Sequence, residues 1–143
     1  MKYIYLNEKF YNDFPKDLYP ELEIKKERPY VQIVIEINNV MFALPLRSNI
    51  SHQYVYYSDK DNKCGIDYSK AVVINEEYID KNNIPQIRQK EFNKLKGKDK
   101  IVYKQFIKYI KKYKKAKNKT DKYAVQLVKF SSLQYFECSI IEI

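Results

Sequence analysis

The chain of 143 residues contains little glycine, cysteine and histidine, and it contains no tryptophan. Its two glycines, Gly65 and Gly97, lie far apart, so the sequence has no glycine-rich loop that would cradle a phosphate. The single histidine excludes a ribonuclease that works with a pair of histidines, and neither HExxH nor CxxC is present. No apolar run reaches the length of about 18 residues that predicts a membrane span.

The two cysteines, Cys64 and Cys138, have no neighbouring metal ligands in the sequence. We expect them to be reduced thiols of a cytoplasmic bacterial protein, because disulfides are rare in the cytosol. The first residues lead into a strand-like segment without the apolar stretch of a signal peptide. The sequence predicts one domain over residues 1–143, with no metal and no cofactor.

The positive charge is concentrated in one segment of the chain. The formal net charge is +9, from 27 Lys and Arg against 18 Asp and Glu. Residues 98–122 hold eleven lysines against two acidic residues, whereas the rest of the chain carries 16 residues of each sign. Because like charges repel, this segment indicates a polyanion partner, and we expect a nucleic acid. The alternative is a solvated helix that reflects the lysine-rich composition of an A/T-rich genome.

The hydropathy pattern predicts strands in the first half of the chain and mostly helices in the second. Predicted strands lie at 2–6, 52–57 and 71–75, and a hairpin spans 30–45, with its turn at Asn38-Asn39 and its end at Pro45. Predicted helices span 85–96 and 100–117, with Gly97 as a C-cap and Asp99 as an N-cap, and a late strand spans 122–130. Without βαβ repetition, this order indicates an α+β fold, a strongly twisted antiparallel sheet or part-open β-barrel surrounded by helices.

The loop that follows the hairpin carries the candidate catalytic residues, which are Arg47, Ser48, Ser51 and His52. RNA can be cleaved without a metal when its own 2′-hydroxyl attacks the adjacent phosphate, so the protein only needs to align the attack and stabilise charge. We expect Arg47 and Ser48 to contact the scissile phosphate and His52 to act as the acid–base group. The alternatives are a turn hydroxyl for Ser48 and a surface histidine for His52.

The candidate RNA-binding residues are aromatic or basic. Tyr11 and Tyr30 are potential stacking platforms for unpaired bases, although core packing is the alternative. Arg28 is expected to contact either phosphate or a nearby glutamate, Glu23 or Glu27. The remaining candidates are lysines, one near the middle of the chain and five in the predicted basic helix: Lys70, Lys104, Lys108, Lys111, Lys112 and Lys115.

Four landmarks in order resemble the toxins of type III toxin–antitoxin systems, the ToxN/AbiQ superfamily, and most closely its TenpN and CptN branches. These are Tyr3-Ile4-Tyr5-Leu6 with Phe10-Tyr11, the Arg28-Pro29-Tyr30 entry to the hairpin, the Pro45-Leu46-Arg47-Ser48 exit followed by His52, and the segment 65–74. The resemblance covers most of residues 1–80. It places Ser48 on the key serine of the family and implies a fold akin to the MazF and Kid toxins.

The resemblance implies a sequence-specific, metal-independent endoribonuclease, held inactive by repeats of a pseudoknotted antitoxin RNA in a heteromeric protein–RNA assembly. The implied role is phage defence by abortive infection, or plasmid maintenance. A non-catalytic RNA-binding module on a similar barrel is the principal alternative. A protein-targeting toxin of the gyrase-poisoning kind is a third possibility, but it would leave the basic segment without a polyanion partner.

Overall fold

The structure of the chain, a computed structural model, describes residues 1–22 and 27–143. Within these residues the fold is α+β, as predicted, with a six-stranded antiparallel sheet and four α-helices. The strands are β1 (Lys2–Ile4), β2 (Gln32–Ile37), β3 (Val40–Arg47), β4 (Val55–Asp59), β5 (Cys64–Asp67) and β6 (Val72–Ile74). The helices are α1 (Glu8–Asp13), α2 (Gln89–Leu95), α3 (Asp99–Ala116) and α4 (Lys122–Phe130). The sheet does not close into a barrel, and no described helix is long and apolar enough to cross a membrane.

The predicted hairpin is confirmed as β2 and β3. Asn38 and Asn39 form its turn with φ angles of 51° and 65°, the left-handed conformation that asparagine tolerates better than most residues. The prediction that Pro45 ends the return strand is wrong, because β3 continues to Arg47. Pro45 occupies the last register pair with β2, opposite Gln32, and the next residues of β3 pair with β5 instead. A residue without an N–H is tolerated where the strand changes its partner.

The far edge of β3 is shared by two short strands. β6 pairs with Met41–Ala43 and β5 pairs with Leu46 and Arg47, so residues 64–74 run antiparallel to β3 as one strand broken in the middle. The break is a short 3₁₀ turn over Tyr68–Lys70. None of the strands predicted from the sequence includes β5. Interruptions of this kind re-aim side chains that a continuous ladder would hold in register.

The basic helix α3 is confirmed almost to its predicted bounds. Its inner face is buried and its lysines point outward, so the helix is amphipathic as the spacing predicted. The buried residues are Val102, Phe106, Tyr109, Ile110, Tyr113 and Ala116. Asp99 is not the N-cap, since Lys98 occupies that position and Asp99 is the first helical residue. Gly97, which follows the C-cap of α2, has a φ of 76°.

The prediction of a strand over 122–130 is wrong, because these residues form α4. Asp121 is its N-cap and accepts a hydrogen bond from the Ala124 amide at 3.2 Å. Ala124 and Leu127 are buried three positions apart, which is helical spacing. The segment is short and rich in apolar residues, and periodicity alone does not separate a strand from a helix over nine residues.

Candidate functional site

The break between β5 and β6 brings three polar side chains around one buried carboxylate. Asp67 is fully buried and accepts from Ser69 Oγ at 2.6 Å, from the Ser69 amide at 2.9 Å and from His52 Nε2 at 3.1 Å. Arg47 Nη1 donates to its other oxygen, Oδ2. Arg47 comes from the end of β3 and His52 from the loop before β4. The carboxylate therefore ties the predicted catalytic loop to the broken strand.

The electrostatics keep Asp67 ionised. Burial opposes its ionisation, but hydrogen bonds from His52 and Ser69 and the charge of Arg47 outweigh this effect, so the pKa of the Asp67 carboxyl is held below its ordinary value. Arg47 is largely buried, with 18% of its side chain exposed, so its attraction to Asp67 is only weakly screened. The pair fixes the position of the arginine and neutralises part of its charge.

The hydrogen bonds of His52 define its tautomer. The amide of Tyr54 donates to Nδ1 at 3.0 Å, so Nδ1 carries a lone pair and the proton lies on Nε2. The Nε2 proton points at Asp67 Oδ1, and the Nε2 atom lies 3.2 Å from Ser69 Oγ. Both ring nitrogens thus have partners within the protein. His52 can therefore exchange a proton with a ligand only after one of these two hydrogen bonds is broken.

Ser69, His52 and Asp67 do not form a nucleophilic triad, although all three meet. In such a triad the acid binds Nδ1 and the serine donates to Nε2. Here Asp67 and Ser69 both lie at Nε2, and Ser69 Oγ donates its proton to Asp67 at 2.6 Å. Ser69 is also buried. Its hydroxyl positions the carboxylate and is not activated for attack.

The two serines of the predicted catalytic loop are both exposed. Ser48 directly follows β3, and Ser51 lies three residues further on. Between them, Ile50 is buried and its amide donates to the Lys63 carbonyl at 3.0 Å, which anchors the loop to the β4–β5 turn. Asn49 has a φ of 56°, so the backbone turns sharply there. The hydroxyls of Ser48 and Ser51 are accessible on an anchored loop, next to Arg47 and His52 in the chain.

A cleft of about 700 Å³ opens beside this cluster. His52, Tyr54 and Ser69 line one side, and the end of α3 and one face of α4 line the others. Lys112, Lys115 and Lys119 lie on its α3 side, and Ala124, Leu127, Tyr123 and Phe130 come from α4. The ammonium of Lys112 lies 5.2 Å from the centre of the Tyr54 ring. The cleft therefore combines cations, aromatic rings and the histidine.

The structure brings together only some of the predicted RNA-binding residues. Lys112 and Lys115 line the cleft, whereas Lys104, Lys108 and Lys111 lie exposed on the same helix outside it. Lys70 Nζ donates to the Phe130 carbonyl at 2.8 Å, which ties the broken strand to the end of α4.

The remaining aromatic and basic candidates stand apart from the cleft. Tyr11 and Pro29 line a different, more acidic pocket with Glu8 and Asp80, and burial raises the pKa of Tyr11 to about 12. Tyr30 is half-buried and Arg28 is exposed. Glu23, one predicted partner of Arg28, lies outside the described residues.

Sequence reasoning missed Asp67 and Ser69 as members of the site, and it missed the contribution of α4. Both residues lie in the segment 65–74, in which the sequence analysis predicted only Lys70 as a site residue. The Asx-turn pattern of an aspartate two residues before a serine was the available signal, since the Ser69 amide donates to Asp67. Because residues 122–130 were predicted to be a strand, Tyr123 and Phe130 were not predicted to lie on one helix face beside the site.

Comparison of the chain with protein-family models, with curated proteins and with solved structures finds no match in any of the three. Among residues 1–22 and 27–143, no three His, Cys, Asp or Glu side chains are grouped so that they could hold a metal ion. Both cysteines are free thiols, Cys64 buried and Cys138 exposed.

Proposed function

We propose that this protein is an endoribonuclease that cleaves RNA through the substrate's own 2′-hydroxyl. The observation that carries the proposal is the cluster of Arg47, His52 and Asp67 at the side of a cleft edged by Lys112 and Lys115. A positively charged cleft attracts the RNA backbone, and the cluster supplies an imidazole where the chemistry needs proton transfer. The ordered resemblance to type III toxins over residues 1–80 supports the same activity.

In the proposed reaction the 2′-oxygen attacks the adjacent phosphorus and the bond to the 5′-oxygen of the next nucleotide breaks. The 2′-hydroxyl loses a proton and the departing 5′-oxygen gains one, so the products are a 2′,3′-cyclic phosphate and a 5′-hydroxyl. Ser48 and Ser51 donate hydrogen bonds to the non-bridging oxygens, and Arg47 adds positive charge from its place beside Asp67. His52 moves the proton once RNA has displaced one of its two present partners.

We infer the biological setting from the resemblance and the charge together. In the inferred setting the protein is a cytoplasmic toxin of a type III system, with a sheet related to that of the MazF and Kid toxins. A pseudoknotted antitoxin RNA neutralises it within a heteromeric assembly, for phage defence or plasmid maintenance. Lys114 and Lys117 are held by contacts with the C-terminal segment, but α3 keeps many other exposed lysines for such a partner.

Ser48→Ala is expected to slow cleavage strongly while leaving the fold intact, because Ser48 is exposed and its hydroxyl is assigned to the phosphate. Loss of one oxyanion donor lowers rates by roughly 100- to 1000-fold in comparable sites. The measurement is incubation of purified protein with a defined RNA in EDTA, followed by end-group analysis of the fragments. The control is Ser139→Ala, which removes a serine hydroxyl outside the cleft.

Fragments with 2′,3′-cyclic phosphate and 5′-hydroxyl ends that disappear in Ser48→Ala but persist in Ser139→Ala would support both the activity and the site. Equal cleavage by all three proteins would show that Ser48 has no catalytic role. Tight RNA binding without cleavage would favour the non-catalytic RNA-binding module. One observation favours this non-catalytic alternative. Both ring nitrogens of His52 already have hydrogen-bond partners within the protein, so neither is free to transfer a proton.

The double variant Lys104→Glu/Lys108→Glu is expected to weaken RNA binding and to flatten its salt dependence. Each lost phosphate contact lowers the slope of log K against log salt by about 0.7 for single strands, so two contacts lower it by roughly 1.4. Fluorescence anisotropy at several salt concentrations measures this slope. Lys16→Glu/Lys60→Glu changes the net charge equally at exposed positions away from α3. If the two double variants behave alike, only general charge matters and the basic face of α3 binds no RNA.

A further inference from the structure

The helix α4 exposes two aromatic rings on the side that faces the cleft. Tyr123 is 81% exposed and Phe130 is 55% exposed, and both line the cleft. They are seven residues apart, which is two turns of a helix, so they share one face with the buried Leu127 between them. Among the described residues, Tyr123 makes no hydrogen bond and no ring contact. Its ring contributes little to the fold and is available to a ligand.

The opposite wall of the cleft is cationic. Lys112, Lys115 and Lys119 come from the end of α3 and the loop after it, and Lys115 and Lys119 form no ion pair with any described residue. The one acidic residue in the lining, Asp121, is occupied as the N-cap of α4. The charge of the cleft is therefore complementary to phosphate, while its α4 wall is apolar and aromatic.

We propose that this cleft is a base-binding subsite, in which an unpaired RNA base stacks on Tyr123 or Phe130 while its backbone phosphates contact Lys112, Lys115 and Lys119. Aromatic rings bind the faces of unpaired bases, and a cationic groove holds the strand that carries them. The volume of about 700 Å³ lies within the range of small-ligand sites. His52 and Ser69 line the same cleft, so a base held there fixes the neighbouring phosphate relative to the candidate active site.

The proposed subsite rests on the proposed function, because the subsite specifies that the ribonuclease accepts single-stranded RNA. It requires a single-stranded substrate, since a base stacked on α4 cannot remain in a helix. It also assigns a specificity role to residues outside the catalytic loop. We expect the base identity at the position next to the scissile phosphate to be read in this cleft, where Gln53 and Gln126 supply amide groups to the lining.

The test is the binding of a fluorescein-labelled, mixed-sequence twelve-nucleotide RNA with 2′-O-methyl riboses, which cannot be cleaved by 2′-attack. Fluorescence anisotropy in EDTA gives the dissociation constant for the wild type, Tyr123→Ala and Phe130→Ala. The alanine variant that removes the stacking ring is expected to bind about five- to 150-fold more weakly, which is the usual effect of such a loss. Tyr123→Phe keeps the ring and is expected to bind like the wild type.

Two controls separate stacking from charge and from loss of structure. Val125→Ala changes an exposed apolar residue on the opposite side of α4, outside the lining, and is expected to leave binding unchanged. An abasic strand of the same length keeps the phosphates but offers no base. With that strand, Tyr123→Ala and the wild type are expected to bind equally.

The outcomes distinguish the subsite from the proposed function. If the wild type binds RNA but Tyr123→Ala and Phe130→Ala bind as tightly, the subsite is overturned, while loss of cleavage in Ser48→Ala still upholds the ribonuclease. If the variants change only the sedimentation behaviour of the protein, the aromatic face joins two copies of the chain and the subsite is likewise overturned. Weakened binding without any cleavage upholds the subsite and favours the binding module.

Discussion

Asp67→Asn is expected to destabilise the protein by about 3–5 kcal/mol, the usual cost of removing one partner from a buried ion pair. The fully buried carboxylate accepts hydrogen bonds from His52, Ser69 and Arg47 on its two oxygens. An amide has one accepting oxygen, and its NH₂ group would face donors. Because small domains are stable by only about 5–15 kcal/mol, a large part of the stability depends on this side chain.

The same substitution is expected to change the dependence of stability on pH. Since the folded-state pKa of Asp67 lies below the unfolded value of about 3.9, its contribution is fully present above that value and is lost as the pH falls through the folded pKa. Between the two pKa values the group contributes a slope of about 1.4 kcal/mol per pH unit. Asp67→Asn removes this part of the acid destabilisation.

Urea unfolding at pH 7 and at several values below pH 5, together with the cleavage assay, tests both effects. Asp59→Asn is the matched control, because Asp59 is also a buried aspartate with cationic neighbours, but these are Arg88 and Lys90 and not the candidate catalytic residues. We expect both variants to lose stability and only Asp67→Asn to lose cleavage under conditions where both are folded. Retention of full stability by Asp67→Asn would contradict the central place given to this carboxylate.

The correct predictions from the sequence concern segments whose structure is decided locally. The β2–β3 hairpin carries its own turn residues, and α3 carries eighteen residues of regular periodicity. The segment of α4 has half that length, and its apolar residues fit both periods, so the helix became visible only through the cap from Asp121 and the burial of Leu127. Hydrophobic periodicity distinguishes a helix from a strand only when it repeats over enough residues to exclude the other period.

For the candidate site, what could be predicted depends on whether the residues are neighbours in the chain. Arg47, Ser48, Ser51 and His52 were accessible to sequence reasoning because they follow one another after a strand. Asp67 was not, since it meets Arg47 only through the antiparallel pairing of β3 with β5, twenty residues along the chain. That pairing depends on a four-residue strand containing Gly65, a residue that ordinarily weakens strands. Long-range register of this kind is set by packing, so the Asx-turn pattern at Asp67 does not show that its carboxylate meets Arg47.

Gly65 lies in β5, between β3 and β4, and we expect that a larger residue there would push the strands apart. Gly65 pairs with Arg47 across β3 and β5, and a Cβ atom there would overlap the Tyr56 carbonyl oxygen and lie 2.8 Å from Val55 Cγ2. A backbone atom cannot move aside by rotating a bond, so β4 and β5 must separate. We expect Gly65→Ala to cost about 3 kcal/mol, at the upper end of overpacking substitutions.

Gly97→Ala is the matched control, because the same methyl group meets no atom within 4 Å there. Its cost comes only from the φ of 76° and is expected to be about 1 kcal/mol. Chemical denaturation of both variants compares the two causes directly. Since Gly65 lies opposite Arg47, its variant is also expected to lose RNA cleavage through a displaced Arg47–Asp67 pair, whereas Gly97→Ala keeps it. Equal stability losses in the two variants would mean that β4 and β5 tolerate the methyl group and that the close approach at Gly65 does not position the site.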